Sequence, residues 1–218
     1  MAKKSISHKD DIKREFNFTT HSIISQVLRG ILVGIFAGLV VGVFRFLIEK
    51  IFHLVQDVYH RSQQSMLWLL ALVFLYAFIV FLNARLVKSE KHIKGSGIPQ
   101  VEAELKGLMS LSWWSVLWKK FVLGILAISS GLMLGREGPS IQLGAMSGKG
   151  VSKFLNLSAA EERALIASGA AAGLAAAFNA PIAGLLFVVE EVYRHFSRFF
   201  WVSTLAASLV ANFVSLSM

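Results

Sequence analysis

The sequence predicts an all-α integral membrane protein built from broken and tilted helices, and three observations carry that prediction. Of the 218 residues 55% are hydrophobic and only 16% charged, with a mean hydropathy of +0.62, whereas soluble chains carry about a quarter charged residues. Long apolar runs alternate with clusters of Lys and Arg. Glycine and proline fall inside apolar surroundings where helices should begin, at Gly95–Pro99, Gly135–Pro139 and Ala180-Pro181. Such breaks are tolerated at membrane depth only where they are buried in protein or line a polar path.

Charge and composition narrow the function. The net charge of +9 would suggest nucleic acid in a soluble chain. Here the basic residues gather at the ends of apolar runs, so they read as loop charges that set orientation. The absence of cysteine excludes thiolate chemistry and Cys-based metal sites. The six histidines show no HExxH or other ligand spacing, and no GxxxxGK[ST] phosphate loop occurs. No enzyme activity, cofactor or resident metal is expected.

Residues 1–22 form a basic tail with Lys3, Lys4, Lys9, Lys13 and Arg14 and no signal-peptide core. A first long helix is expected over residues 27–58. Gly30, Gly34, Gly38 and Gly42 recur every four residues and so lie along one face, the pattern that lets helices approach closely in lipid. Arg45, Glu49 and Lys50 interrupt its far end, which should face protein or the interface. Residues 66–82 form the clearest span, roughly 25 Å long at 1.5 Å per residue. Arg85, Lys88, Lys91 and Lys94 follow it. Two spans between two basic segments put both segments, and the N-terminus, in the cytoplasm.

Beyond residue 94 the pattern becomes irregular. Gly95-Ser96-Gly97-Ile98-Pro99 opens a short helix ending near Lys106. A span over residues 113–134 carries Trp113, Trp114 and Trp118 as interfacial anchors, with Lys119 and Lys120 near one end. A helix opened by Pro139 runs to Phe154. Residues 161–180 hold the small-residue run Gly169-Ala170-Ala171-Ala172-Gly173 and stop at Asn179-Ala180-Pro181. A further helix from Pro181 to Tyr193 ends in Glu190-Glu191, and a last one covers residues 199–214. The sequons at Asn17 and Asn156 carry little weight, because the pattern is common by chance.

The stretch around Arg136-Glu137 places two charges among apolar and small residues. An ionisable group at membrane depth costs several kcal/mol unless it is paired or lines a polar cavity, roughly 3 kcal/mol on insertion scales. Gly138 permits a tight turn and Pro139 suits a first helical turn, so Glu137 should sit at or just before the N-cap. The free N–H groups and dipole of such a start attract an anion. A tethered carboxylate can occupy that position and leave it on protonation, which makes Glu137 a candidate plug. The alternative is a carboxylate held in an ion pair by Arg136.

The motifs GSGIP and GREGP, followed by GAAAGLAAAFNAPIAGLLFVVEE, closely resemble the CLC family of chloride channels and chloride/proton antiporters over residues 25–217. The resemblance implies anion binding at Gly95, Ser96, Gly97 and Ile98, with the Ser96 hydroxyl on a central chloride where some relatives carry proline. It implies a gate at Glu137 within the Gly135, Arg136, Gly138 and Pro139 motif, and a proton pathway through Glu191, beside Glu190. Taken alone, Ser96 reads as an N-cap, and Glu190 as a surface partner for Arg194 four residues on.

Residues 23–218 would then be the N-terminal one of two inverted repeats. The second repeat, which in the family supplies a GxFxP motif and an anion-coordinating tyrosine, is absent from this sequence. A full pore would need that repeat, and the resemblance implies a homodimer in a cell membrane. Chloride/proton antiport is the leading expectation. The alternatives are a passive voltage- or pH-gated chloride channel, and a non-transporting fragment or assembly partner. Fluoride export by a related branch does not fit the chloride-type motifs.

Overall fold

A computed structural model describes residues 8–63, 65–193 and 198–218, with side chains described for residues 23–63, 65–193 and 200–218. Among the described residues, eight α-helices follow in order: α1 (His8–Ser62), α2 (Met66–Ser89), α3 (Ile98–Leu105), α4 (Trp113–Ser129), α5 (Glu137–Phe154), α6 (Ala159–Phe178), α7 (Pro181–Phe187) and α8 (Arg198–Leu216). A short 3₁₀ turn, Lys91–Ile93, precedes α3, and a π-helical turn, Val188–Tyr193, continues α7. No strand occurs among the described residues. Among the described residues, only Ile23–Ser62 and Met66–Ser89 are long and apolar enough to cross a membrane by length and composition.

The glycine periodicity has a direct structural cause. The four glycines of α1 face α8, where a β-carbon on Gly38 would lie 2.8 Å from Ala211 Cα and one on Gly34 2.9 Å from Val210 Cβ. Helices α5 and α6 meet in the same way, backbone on backbone, with Gly144 against Gly173. In lipid, where burial of apolar surface gives little drive, such close approach supplies dispersion contacts and hence association. The core therefore lies where α1, α5, α6 and α8 converge, around Val41, Ala170 and Ala207, all fully buried.

The charge in mid-α1 is also accounted for. The Arg45 guanidinium donates to Ala176 O at 2.6 Å and to Asn179 Oδ1 at 3.0 Å. Asn179 is in the left-handed conformation (φ 56°, ψ 36°) that ends α6, so Arg45 neutralises the carbonyl end of that helix from a neighbouring one. Glu161 and Ser158 close the other end with a reciprocal capping box.

Four expectations change. The basic tail is helical from His8, joining α1 without a break. The span beginning at Trp113 stops at Ser129, because residues 131–136 leave the helix on Gly131 (φ 84°). The helix after Pro181 is not α-helical to its end; it widens at Val188 into the π turn that carries both glutamates. Lys120 does not sit at an interface but is 1% exposed within the fold. Arg194, the proposed partner of Glu190, and the tail's side chains, including the Asn17 sequon, lie outside the described residues.

Candidate anion-binding site

The site begins with the turn Gly95-Ser96-Gly97. Gly95 (φ 73°) and Gly97 (φ 95°) both adopt the left-handed conformation that glycine takes at little cost. Ser96 is thereby turned outward, and α3 starts at Ile98 with Pro99 in its first turn. The expected N-cap role of Ser96 moves by one residue: Gly97 is the N-cap, and the Ser96 hydroxyl accepts a long hydrogen bond, 3.4 Å, from the Ile98 N–H. Ser96 is exposed, so its hydroxyl remains available to a ligand.

Helix α5 starts against that turn. Glu137 is its first residue and Arg136 its N-cap, and the first main-chain bond runs from Ser140 N to Arg136 O at 3.1 Å. Gly138 and Pro139 thus lie in the first turn, where the proline's missing N–H leaves no acceptor unmet. A β-carbon on Gly138 would lie 2.7 Å from Ser96 Cβ and 2.9 Å from Ser96 Cα. Only glycine allows this contact, which brings the N-termini of α3 and α5 side by side. The two motifs, some forty residues apart in sequence, form one locality.

The charges around it are arranged unevenly. Arg136 does not pair with Glu137; its guanidinium reaches Glu49 Oε1 of α1 at 3.3 Å. The Glu137 side chain folds back over Gly135, half-buried, with no ion pair among the described residues. The alternative of a carboxylate locked by its neighbouring arginine is therefore corrected. The arginine is tied elsewhere, and the carboxylate stands free at a helix start.

Two residues that sequence reasoning missed complete the geometry. The Lys120 ammonium donates to Ile93 O at 3.0 Å and to Gly95 O at 2.6 Å, pinning the chain just ahead of Ser96. No carboxylate pairs with it among the described residues, so a buried positive charge lies directly behind the Ser96 turn. A lysine inside an apolar run was the available signal, but adjacent Lys119 made the pair look interfacial. The second is Gln142 of α5, fully buried, which donates from Nε2 to His92 O at 2.9 Å and packs against Gly97. It ties the Glu137 helix to the Ser96 turn, and nothing in its spacing announced that.

The chain between the second span and this turn is anchored by Glu90. Its carboxylate takes the Ser115 hydroxyl at 2.8 Å and the His92 ring Nδ1 at 2.7 Å. Burial pushes its pKa up, but those hydrogen bonds outweigh it, leaving the group below its ordinary value. Glu190 and Glu191 lie apart from Glu137 in sequence and in element, on the exposed side of the π turn. That turn packs against α3 and α6, so it shares a helix with the Ser96 turn rather than with Glu137.

Known proteins share this fold. The H(+)/Cl(−) exchange transporter ClcA of Vibrio cholerae is 40% identical over 157 residues, covering 68% of this chain and 33% of the relative. Its counterpart in Salmonella arizonae is 44% identical over 133 residues, 60% of this chain and 28% of that protein. This chain thus spans about a third of the length of the curated relatives it matches. A slow cyanobacterial Cl−/H+ antiporter superposes with a TM-score of 0.81 at 31% identity, covering 87% of this chain and 46% of that one. A eukaryotic CLC transporter superposes at 0.70 with 23% identity, over 88% of this chain and 38% of that one, which shows the fold alone. Residues 77–218 match the voltage gated chloride channel family, and this integral membrane chain belongs to it.

Proposed function

We propose that the chain forms the N-terminal portion of a proton-coupled chloride antiporter. Chloride is held at the start of α3 by the Ser96 hydroxyl and the Gly97 and Ile98 N–H groups, with Gly95 shaping the turn. Glu137, framed by Gly135, Arg136, Gly138 and Pro139, competes for the neighbouring anion position at the start of α5. Protonation removes its charge and with it its attraction to that helix end. Protons reach it by way of Glu191, beside Glu190. Coupling follows because one position cannot hold a carboxylate and a chloride together.

The observation that carries this reading is the contact between Ser96 and Gly138, which sets the two helix starts side by side, with the Glu137 carboxylate, unpaired among the described residues, on the first residue of the second. The antiport activity named for the relatives supports it. On this reading residues 1–22 are a cytoplasmic tail, residues 23–218 are one of two inverted repeats, and the complete pore is a homodimer that needs the second repeat. No cofactor takes part.

The test is reconstitution in liposomes, with and without a C-terminal half from a relative. A chloride gradient should drive proton movement in the completed pore, and Glu137→Ala should abolish that coupling while passive chloride flux persists. Coupling that survives Glu137→Ala overturns the plug role. Glu191→Gln should slow proton movement and spare anion passage; loss of both would make Glu191 structural. Flux without proton coupling in the unsubstituted pore would favour a passive channel, and absence of all flux a non-transporting assembly partner.

A further inference from the structure

Helix α2 has two faces of opposite character. Leu72 and Ile79 are buried, and Tyr76, between them, donates its hydroxyl to Ser130 O at 2.6 Å. At about 100° per residue the opposite face carries Phe74, Phe78 and Phe81, which are 74%, 61% and 63% exposed. That same face continues without a turn into Arg85 and Lys88, both exposed. Lys91 follows, also exposed. None of these three cations has a carboxylate partner among the described residues, and Glu90, the acid between Lys88 and Lys91 in sequence, is taken by His92 and Ser115.

We propose that this face binds an anionic phospholipid, acyl chain along the phenylalanines and phosphate on Arg85, Lys88 and Lys91. The dimensions fit. Phe74 lies about 16 Å along the axis from Arg85 at 1.5 Å per residue, close to the roughly 15 Å of hydrocarbon in one leaflet. A neutral lipid would satisfy the phenylalanines equally well but leave the cations unpaired. A soluble anion would pair the cations and leave the apolar stripe uncovered. Only a molecule with both parts matches the whole face, and cations at the membrane surface gain most from a phosphate-bearing headgroup.

The test is native mass spectrometry of the full chain released from nanodiscs containing equal dioleoyl-phosphatidylglycerol and dioleoyl-phosphatidylcholine. The chain should retain phosphatidylglycerol preferentially, and Arg85→Gln, Lys88→Gln and Lys91→Gln should each cut that preference about fivefold. Lys50→Gln on α1 should leave it unchanged. Phe78→Ser should lower retention of both lipids while keeping their ratio. Should a glutamine variant fail to fold, salt near 1 M, where the Debye length is about 3 Å, should erase the preference in the unsubstituted chain. Equal retention of the two lipids, an unchanged preference in the Arg85/Lys88/Lys91 triple variant, displacement by an equal concentration of inorganic phosphate, or lipid-free pairing of two chains through this face would each overturn the proposal.

Discussion

The two ends of α3 each rest on a buried lysine, and the contrast between them separates packing from function. At the C-terminal end Lys149, 3% exposed, meets Glu104, 6% exposed, and also donates to Leu111 O at 2.7 Å. The second Glu104 oxygen accepts from Leu111 N at 2.9 Å, and Glu162 stands 3.9 Å from the same ammonium. Every charge there is answered by an opposite one. At the N-terminal end Lys120 is equally buried but, among the described residues, is answered only by the carbonyls of Ile93 and Gly95. Carbonyl dipoles satisfy its hydrogen bonds without cancelling its charge. The first lysine holds a helix in place, whereas the second also leaves a net positive field behind the turn at which we propose the anion binds.

The largest expected effect comes from breaking the neutral end. Lys149→Met strands Glu104 in the interior and should cost about 3–5 kcal/mol, read as a lower thermal midpoint in detergent. The double variant Lys149→Met/Glu104→Leu should recover most of that loss. A double variant as unstable as the single one would mean that the pair is not the balanced unit described.

Lys120→Met should cost less, about 1–3 kcal/mol for two carbonyls left without a donor. Its distinguishing effect is on anions. Chloride in place of gluconate should stabilise the unsubstituted chain and stabilise this variant less. Equal stabilisation of both proteins would remove Lys120 from the electrostatics of the site. Gly138→Ala, by contrast, should act sterically. Its methyl meets the Ser96 backbone, so a cost of about 1–3 kcal/mol should accompany loss of the chloride effect, with Lys120 intact.

The smallest effect concerns pH. The Glu90 carboxyl is held below its ordinary value in the folded chain, so its contribution is fully present above the unfolded value of about 4.3 and is lost as pH falls through the lower folded one. Thermal midpoints should therefore be insensitive to Glu90 between pH 7 and 5. The difference between the unsubstituted chain and Glu90→Gln should shrink only below about pH 4.5. A difference that shrinks at neutral pH would mean that Glu90 is not held below its ordinary value.

Much of this architecture was legible in the residues themselves. Four-residue glycine spacing in α1, the run at Gly169–Gly173, and prolines at positions 99, 139 and 181 each express a local steric rule, so they announced a packing face or a helix start before any coordinates were known. Helix type and charge partners were not legible. The pairing of Arg136 with Glu49 depends on what lies across the fold, and neither the π turn at Val188 nor the end of α4 at Ser129 had a signal in the apolar pattern.

By itself, then, the sequence determined that this is a membrane-embedded helical chain with interrupted helices and an adjacent arginine and glutamate at one of the interruptions, because backbone sterics and hydropathy act over a few neighbouring residues. Only the tertiary structure decided that Ser96 and Gly138 touch, that Lys120 stands behind them with no carboxylate partner among the described residues, and that Gln142 links the two helix starts. Those relations join residues on separate helices, and electrostatic and packing energies between them are set by distance in space, which no spacing along the chain encodes.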